Sequence, residues 1–133
     1  MSFPRAEQPV VLKGMEAARA FLAPSVTGDR ADDWWVAHVD ERVRCIRLAA
    51  YPRETDGPAD LQAGAILGDA LRLGSTGVLV ASRANGETLA DLLRQAASAR
   101  KLVEAGEALD VAVLDHLVFG ADDCLSARRS GLL

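Results

Sequence analysis

The sequence predicts a single α/β domain in which helices flank a mixed β-sheet. Three observations support this fold class. Apolar residues recur at helical spacing in three segments, a continuous apolar run at 77–81 is typical of a strand covered on both faces, and β-rich runs precede and follow that strand. Strands and helices arranged in this way favour three layers or a wrapped sheet. A chain of 133 residues is long enough for one domain that buries roughly two thirds of its surface.

Local signals place each element along the chain. Pro24 ends the first helix, Pro58 opens the second, and Gly74 and Gly106 end the second and third. Asn85-Gly86 marks a turn after the apolar strand. In chain order, the predicted elements are a helix at 10–22, strands at 34–39 and 43–49, a helix at 61–73, a strand at 77–81, a helix at 87–105, and strands at 110–119 and 122–126.

The predicted domain organisation is simple. Residues 1–9 are polar and contain proline, and with the first helix they form an N-terminal arm and helix over 1–24. Residues 25–133 form the main part of what we expect to be one compact domain. Within it, the strands at 34–39 and 43–49 surround Asp40-Glu41-Arg42 and predict a hairpin.

Two adjacent tryptophans, Trp34 and Trp35, begin the first strand of that hairpin. Neighbouring strand residues point to opposite faces of a sheet. One interpretation packs both rings in the interior, with a helix on each side. The other leaves one ring as an aromatic anchor for a partner or a second copy.

Charge and cysteine content narrow the function classes. The net charge of −4 disfavours a broad phosphate-binding face, so we expect no nucleic-acid partner. Cys45 and Cys124 lie too far apart in sequence for a C-x-x-C pair and form no disulfide framework. The sequence shows neither a signal-peptide core nor a run of roughly 20 apolar residues, so we expect a cytoplasmic protein without a membrane span. The predicted helix at 87–105 mixes both signs of charge, with Arg94, Arg100, Lys101, Glu87, Asp91 and Glu104.

Four segments in order resemble one known family. They are W-V-A-H-V-D-E-R-V-R at 35–44, A-I-L-G-D-A-L followed by G-V-L-V-A at 65–81, V-L-D-H-L-V-F-G at 113–120 and L-S-A-R-R-S-G-L-L at 125–133. The resemblance is to the RadC-like branch of the JAB/MPN (JAMM) metallohydrolases over residues 34–133. It implies a JAB/MPN-like, cytidine-deaminase-like domain. It also implies a zinc ion held by two imidazoles and one carboxylate, with a water that the metal acidifies.

The residues of this chain depart from the family's metal loop. Where the family has A-H-N-H-P-S-G, this chain has A-S-R-A-N-G at 81–86, so the two histidines fall on Ser82 and Ala84. The metal aspartate falls on Asp91. We therefore predict no bound metal, because one carboxylate with a neutral hydroxyl is a poor zinc site. The positions singled out in this region are Ser82, Arg83, Ala84, Asn85, Gly86, Glu87 and Asp91.

Other residues have competing interpretations. Thr88-Leu-Ala-Asp91 is also a capping box, which gives Asp91 a structural role at a helix start. His38 and His116 are candidates for displaced metal ligands, although the resemblance makes His116 a structural hydrogen-bonding residue. Glu54 is a candidate proton shuttle.

These observations lead to three functional hypotheses. The first is a catalytically inactive JAB/MPN-like domain that binds a protein partner or forms a homodimer. The second is a zinc-dependent (iso)peptidase-type hydrolase with displaced ligands. The third is a DNA repair role, which rests only on the family's name.

Overall fold

The computed structural model describes residues 10–53, 62–84 and 89–133, with the side chains of 89–94 outside the described set. Its described strands form one five-stranded sheet in the order β2-β1-β3-β4-β5. The elements are α1 (Met15–Val26), β1 (Trp34–Val39), β2 (Cys45–Tyr51), α2 (Ala63–Leu73), β3 (Gly77–Arg83), α3 (Leu89–Glu107), β4 (Ala112–Phe119) and β5 (Cys124–Ser126).

The sheet is mixed, as predicted. β1 pairs antiparallel with β2 and with β3, β3 pairs parallel with β4, and β4 pairs antiparallel with β5. The apolar β3 lies at the centre and is buried from Gly77 to Ser82, which explains why it is not an alternating strand. The parallel step from β3 to β4 requires a crossover, and α3 provides it.

Helices cover both faces of the sheet and create two apolar cores. One core packs side chains of α2 and α3, such as Ile66 and Leu102, on the face that carries Trp34. The other packs α1, through residues such as Leu22, on the face that carries Trp35. Trp34 is fully buried, and Trp35 is half-buried with its ring packed against the second core.

The first helix differs from the prediction at both ends. Residues 10–12 are extended instead of helical: Val11 bridges Arg44, and Leu12 N–H donates to the Val43 carbonyl. Neighbouring β-branched valines fit a strand as well as a helix, and the hairpin supplies the backbone partners. Pro24 does not end α1, which continues to the fully buried Val26.

Proline is tolerated at position 24 because it removes only one hydrogen bond. Its missing N–H would have bonded to the carbonyl of Ala20, which lies on the exposed side of α1 where water can bind instead. The continued helix buries Val26 in the second core, and that burial favours the extra turn.

The other described boundaries either agree with the prediction or differ from it by two residues. β2 begins at Cys45 because Val43 has φ 59° and lies in the turn. Gly74 ends α2 in the left-handed conformation, as predicted. α3 continues past Gly106 to Glu107, and a Cβ at Gly106 would lie 2.4 Å from the Val111 carbonyl oxygen. That glycine therefore permits a close backbone approach instead of ending the helix. The predictions for Glu54, Pro58, Asn85, Gly86 and Glu87 lie outside the described residues.

Candidate functional site

Ser82, at the end of β3, takes part in a buried hydrogen-bond network. Its side chain is fully buried, and its hydroxyl donates to Gln95 Oε1 at 2.9 Å. The same oxygen lies 2.8 Å from Nε2 of His116 on β4. Because the serine proton is used toward Gln95, the histidine donates through Nε2–H and is the neutral tautomer with a bare Nδ1. We call Ser82, Gln95 and His116 the serine network.

The environment of His116 keeps its imidazole neutral. Burial lowers the pKa of His116 to about 4; the negative charge of Asp115 opposes this shift and the positive charge of Arg53 adds to it. Trp34 packs against the imidazole with ring centroids 5.4 Å apart, and the Arg53 guanidinium carbon lies 4.9 Å from the Trp34 ring centroid. His116 and Ser82 are therefore fully buried, with the Trp34 ring packed against the imidazole.

The backbone beyond Ser82 continues the sheet. Arg83 donates to Asp32 at 3.2 Å, which connects the end of β3 to the loop before β1. The N–H of Ala84 donates to the Phe119 carbonyl at 2.8 Å, so β3 and β4 stay hydrogen-bonded past the end of the assigned strand. The start of the loop that follows β3 is therefore bonded on one side to the loop before β1 and on the other side to β4.

His38 belongs to a second network on the same face of the sheet. Its Nε2 lies 2.8 Å from the Tyr51 hydroxyl, which donates to Asp69 Oδ2 at 2.6 Å, and Asp69 pairs with Arg72. Burial lowers the pKa of His38; Asp69 opposes that shift and Arg47 adds to it. The hydrogen bond from Tyr51, and then that from Arg72, hold the pKa of Asp69 below its ordinary value. We call this chain, which runs from the core to the surface, the tyrosine network.

Comparison with known proteins identifies the family. A model of the RadC-like JAB domain matches residues 12–132. This chain belongs to the RadC-like JAB domain family. The match begins before β1 and includes α1, so it covers more of the chain than the four segments that carry the resemblance in sequence. A search of curated proteins finds no match.

The structure shows the surroundings of each candidate residue of this RadC-like JAB domain whose side chain it describes. Ser82 lies in the serine network, and Ala84 has a methyl group that donates no electron pair to a metal. Among the described side chains of 10–53, 62–84 and 95–133, no cluster of three or more His, Cys, Asp or Glu could hold a metal ion. Asp91 lies on α3 with its side chain outside the described set, so both of its interpretations stay predictions.

Sequence reasoning missed several partners in the RadC-like JAB domain. Gln95, Arg53 and Tyr51 were not singled out, although each contacts a candidate histidine or the residues around it. One signal could have identified Gln95: it is a polar residue next to Ala96 and one turn before Ala99, both of which are buried on α3. A polar residue on an apolar helix stripe indicates a buried hydrogen-bond partner.

Asp115 anchors the C-terminal segment of the domain. Its carboxylate accepts hydrogen bonds from the backbone N–H groups of His116 and Arg128 and from the Ser126 hydroxyl. The Arg128 guanidinium donates in turn to the Val113 and Leu114 carbonyls at 2.7 and 2.6 Å. These bonds satisfy backbone groups next to a bulge in β4, where Leu114 is the extra residue.

Replacing Asp115 with asparagine is expected to lower the free energy of unfolding by about 2 kcal/mol, because hydrogen bonds to a charged acceptor contribute roughly 1.5–3 kcal/mol. Urea unfolding followed by circular dichroism measures the change. The matched control is Asp122→Asn, which alters an exposed carboxylate in the loop between β4 and β5. Equal stability of the two variants would contradict the anchoring role.

None of the helices in the described part of the chain is both long and apolar enough to cross a bilayer.

Proposed function

We propose that this RadC-like JAB domain has no hydrolase activity and acts as a binding or assembly module. The observation that carries the proposal is the position of Ser82. The residue stands where the resemblance places the first metal histidine, and its hydroxyl is held between Gln95 and His116 inside the protein.

The donor set does not suit the zinc ion that the family implies. A zinc site needs three or four deprotonated nitrogen, sulfur or oxygen ligands, whereas Ser82 offers a neutral hydroxyl and Ala84 offers none. To reach a metal, the Ser82 oxygen would have to leave Gln95 and His116. Each buried polar group that lost its partner would cost about 1–3 kcal/mol. A single carboxylate at Asp91 would not repay that cost.

The sheet edge supports a binding role. β2 is an outer strand of the described sheet, and the described residues place one short bridge, at Val11, beside its start. Ile46 on this strand is 41% exposed. An outer strand with free backbone groups can pair with an extended segment of another chain. Light scattering distinguishes a homodimer from a complex with a different protein. A measured mass of two chains indicates a homodimer, whereas a mass of one chain indicates that the partner is a different protein.

Zinc titration tests the absence of a metal site. We expect no saturable heat by isothermal titration calorimetry and no stoichiometric zinc by mass spectrometry in protein purified without added metal. The matched variant is S82H/A84H, which returns both imidazoles. Zinc binding by this variant, with none by the unaltered chain, would locate the missing donors at these two positions.

The same titration tests the hydrolase with displaced ligands. Stoichiometric zinc in the unaltered chain, lost in both His38→Gln and His116→Gln, would establish that hydrolase's metal site and reject the proposal. Zinc retained by both variants would indicate that other residues bind the metal, and this result would also reject the proposal of a domain without a metal site.

A further inference from the structure

A cleft lies on the opposite face of the sheet from the serine and tyrosine networks. It has a volume of about 240 Å³ and lies between the start of α1 and strands β3 and β4. None of its lining residues belongs to either network. Its apolar wall comprises Leu12, Met15, Ala18, Leu79, Leu114 and Leu117.

The bulge in β4 shapes this wall. Pairing passes from Val78 with Val113 to Leu79 with Asp115, so Leu114 is an extra residue packed on the α1 side of the sheet. Bulges redirect side chains and recur beside functional sites. The Arg128 bonds to the Val113 and Leu114 carbonyls hold the bulge in this shape.

The mouth of the cleft is positively charged. It adjoins a second cavity of about 460 Å³, and the two share Lys13 and Arg129; Arg19 lines the outer one. Among the residues with described positions, Lys13, Arg19 and Arg129 form no ion pair within 4 Å. Two carboxylates face these cations. Glu16 lines the outer cavity, and Asp115 already accepts three hydrogen bonds.

The rim is held in place before any ligand arrives. The Arg129 N–H donates to the Ser126 hydroxyl at 3.1 Å, and that hydroxyl donates to Asp115. An arginine on a fixed backbone loses less freedom when it binds an anion. The protein as a whole has a net charge of −4, but cations outnumber carboxylates at the mouth of this cleft. The local electrostatic potential there therefore favours the binding of anions.

We propose that this cleft binds a small amphipathic carboxylate, with the apolar body against the leucine wall and the carboxylate at Lys13 and Arg129. The volume limits the size of the ligand. At about 30 Å³ for each water-sized group, 240 Å³ holds roughly eight such groups, which is fewer than a drug-sized ligand has. A medium-chain fatty acid has these dimensions and this charge.

The test uses octanoate with the full chain. We expect saturable binding with a Kd of about 1 mM or lower, measured by calorimetry and by amide chemical shifts. The shifts should map to the backbone around Leu79, Leu114 and Leu117. Octanol, which lacks the charge, should bind about tenfold more weakly, and acetate, which lacks the apolar body, should not bind.

Charge variants locate the head group. The double variant K13Q/R129Q should weaken octanoate binding roughly fivefold to twentyfold, because each exposed ionic contact contributes a factor of about two to five. The matched control is Arg100→Gln, which removes an exposed cation on α3, across the sheet, and should leave binding unchanged.

Several results would overturn the proposal. They are octanol binding as tightly as octanoate, no saturation by about 20 mM octanoate, and unaltered affinity in K13Q/R129Q. A concentration-dependent dimer whose cleft gives no octanoate shifts would assign the surface to a second copy of the chain instead. If K13Q/R129Q does not fold, the shift map on the unaltered chain decides, because shifts elsewhere would reject the site.

Discussion

Replacing Trp34 with alanine is expected to lower the free energy of unfolding by about 3–5 kcal/mol, which is the usual cost of truncating a buried aromatic side chain. Trp34 is fully buried in the core beneath α2 and α3. The truncation also removes the ring that packs against His116 and lies beneath Arg53. The loss therefore combines a cavity with the exposure of a buried imidazole to water.

Trp35→Ala is the matched control, because the neighbouring ring lies on the other face of the same strand. Trp35 is half-buried and donates from Nε1 to the Arg30 carbonyl at 2.9 Å. We expect a loss of about 1–2 kcal/mol from this variant. The chain has two tryptophans, so each variant keeps one fluorescent reporter for denaturant unfolding. Equal losses in the two variants would show that the two faces do not differ as described.

Acidification from pH 6.5 to pH 4 is expected to destabilise the fold by about 3 kcal/mol through His116 alone. Its pKa in the folded protein is about 4, against 6.5 in the unfolded chain. Between these values the unfolded state binds a proton that the folded state does not, so stability falls as the pH falls, by up to about 1.4 kcal/mol per pH unit. Well below pH 4, where His116 is protonated in both states, this contribution stops changing.

The His116→Gln variant isolates this effect. Its stability should be much flatter than that of the unaltered chain over pH 4–6.5, with a residual slope of the same sign from His38, whose pKa is also lowered. Asp40 and Asp69 have lowered pKa values, so they lose their stabilising contribution only as the pH falls below about 4. Urea unfolding at half-unit pH steps measures the stability in both pH ranges, the one in which the histidines titrate and the one in which the aspartates titrate. A variant with the slope of the unaltered chain would show that His116 is not the buried neutral group described here.

The same experiment bears on the proposed function. The serine network requires an imidazole that donates through Nε2 and stays neutral. If His116 were instead a zinc ligand, its protonation would compete with metal and the stability at each pH would depend on zinc concentration. Repeating the series with a chelator and with added zinc separates these cases. We expect the two curves to superimpose.

Most of the fold was predictable because its signals are local. The apolar run of β3, the stripe on α3 and the cap at Gly74 each need only neighbouring residues to be recognised. The mixed sheet flanked by helices is confirmed, as is the hairpin around Asp40. The amphipathic or continuously apolar pattern of each of these elements is a property of its own residues and does not depend on which segment packs against it.

The errors occurred where a distant segment decided the outcome. Residues 10–12 became extended because the hairpin offered them backbone partners, and α1 passed Pro24 because Val26 gains burial against the sheet. Local propensity is a weak guide at such places, since tertiary packing outweighs differences below 1 kcal/mol per residue.

For the candidate site, too, local sequence predicted some features and only the tertiary structure revealed the others. Sequence alone identified the family resemblance, and it predicts that Ser82 and Ala84 replace two histidines and that metal donors are too few, because these inferences depend on residue identity and order. Only the folded chain revealed that Ser82 bonds to Gln95 and His116, that His38 bonds to Tyr51, and that a cationic cleft opens beside α1. Those contacts join residues 13 to more than 100 positions apart, and their pairing depends on how the helices pack on the sheet rather than on any local pattern.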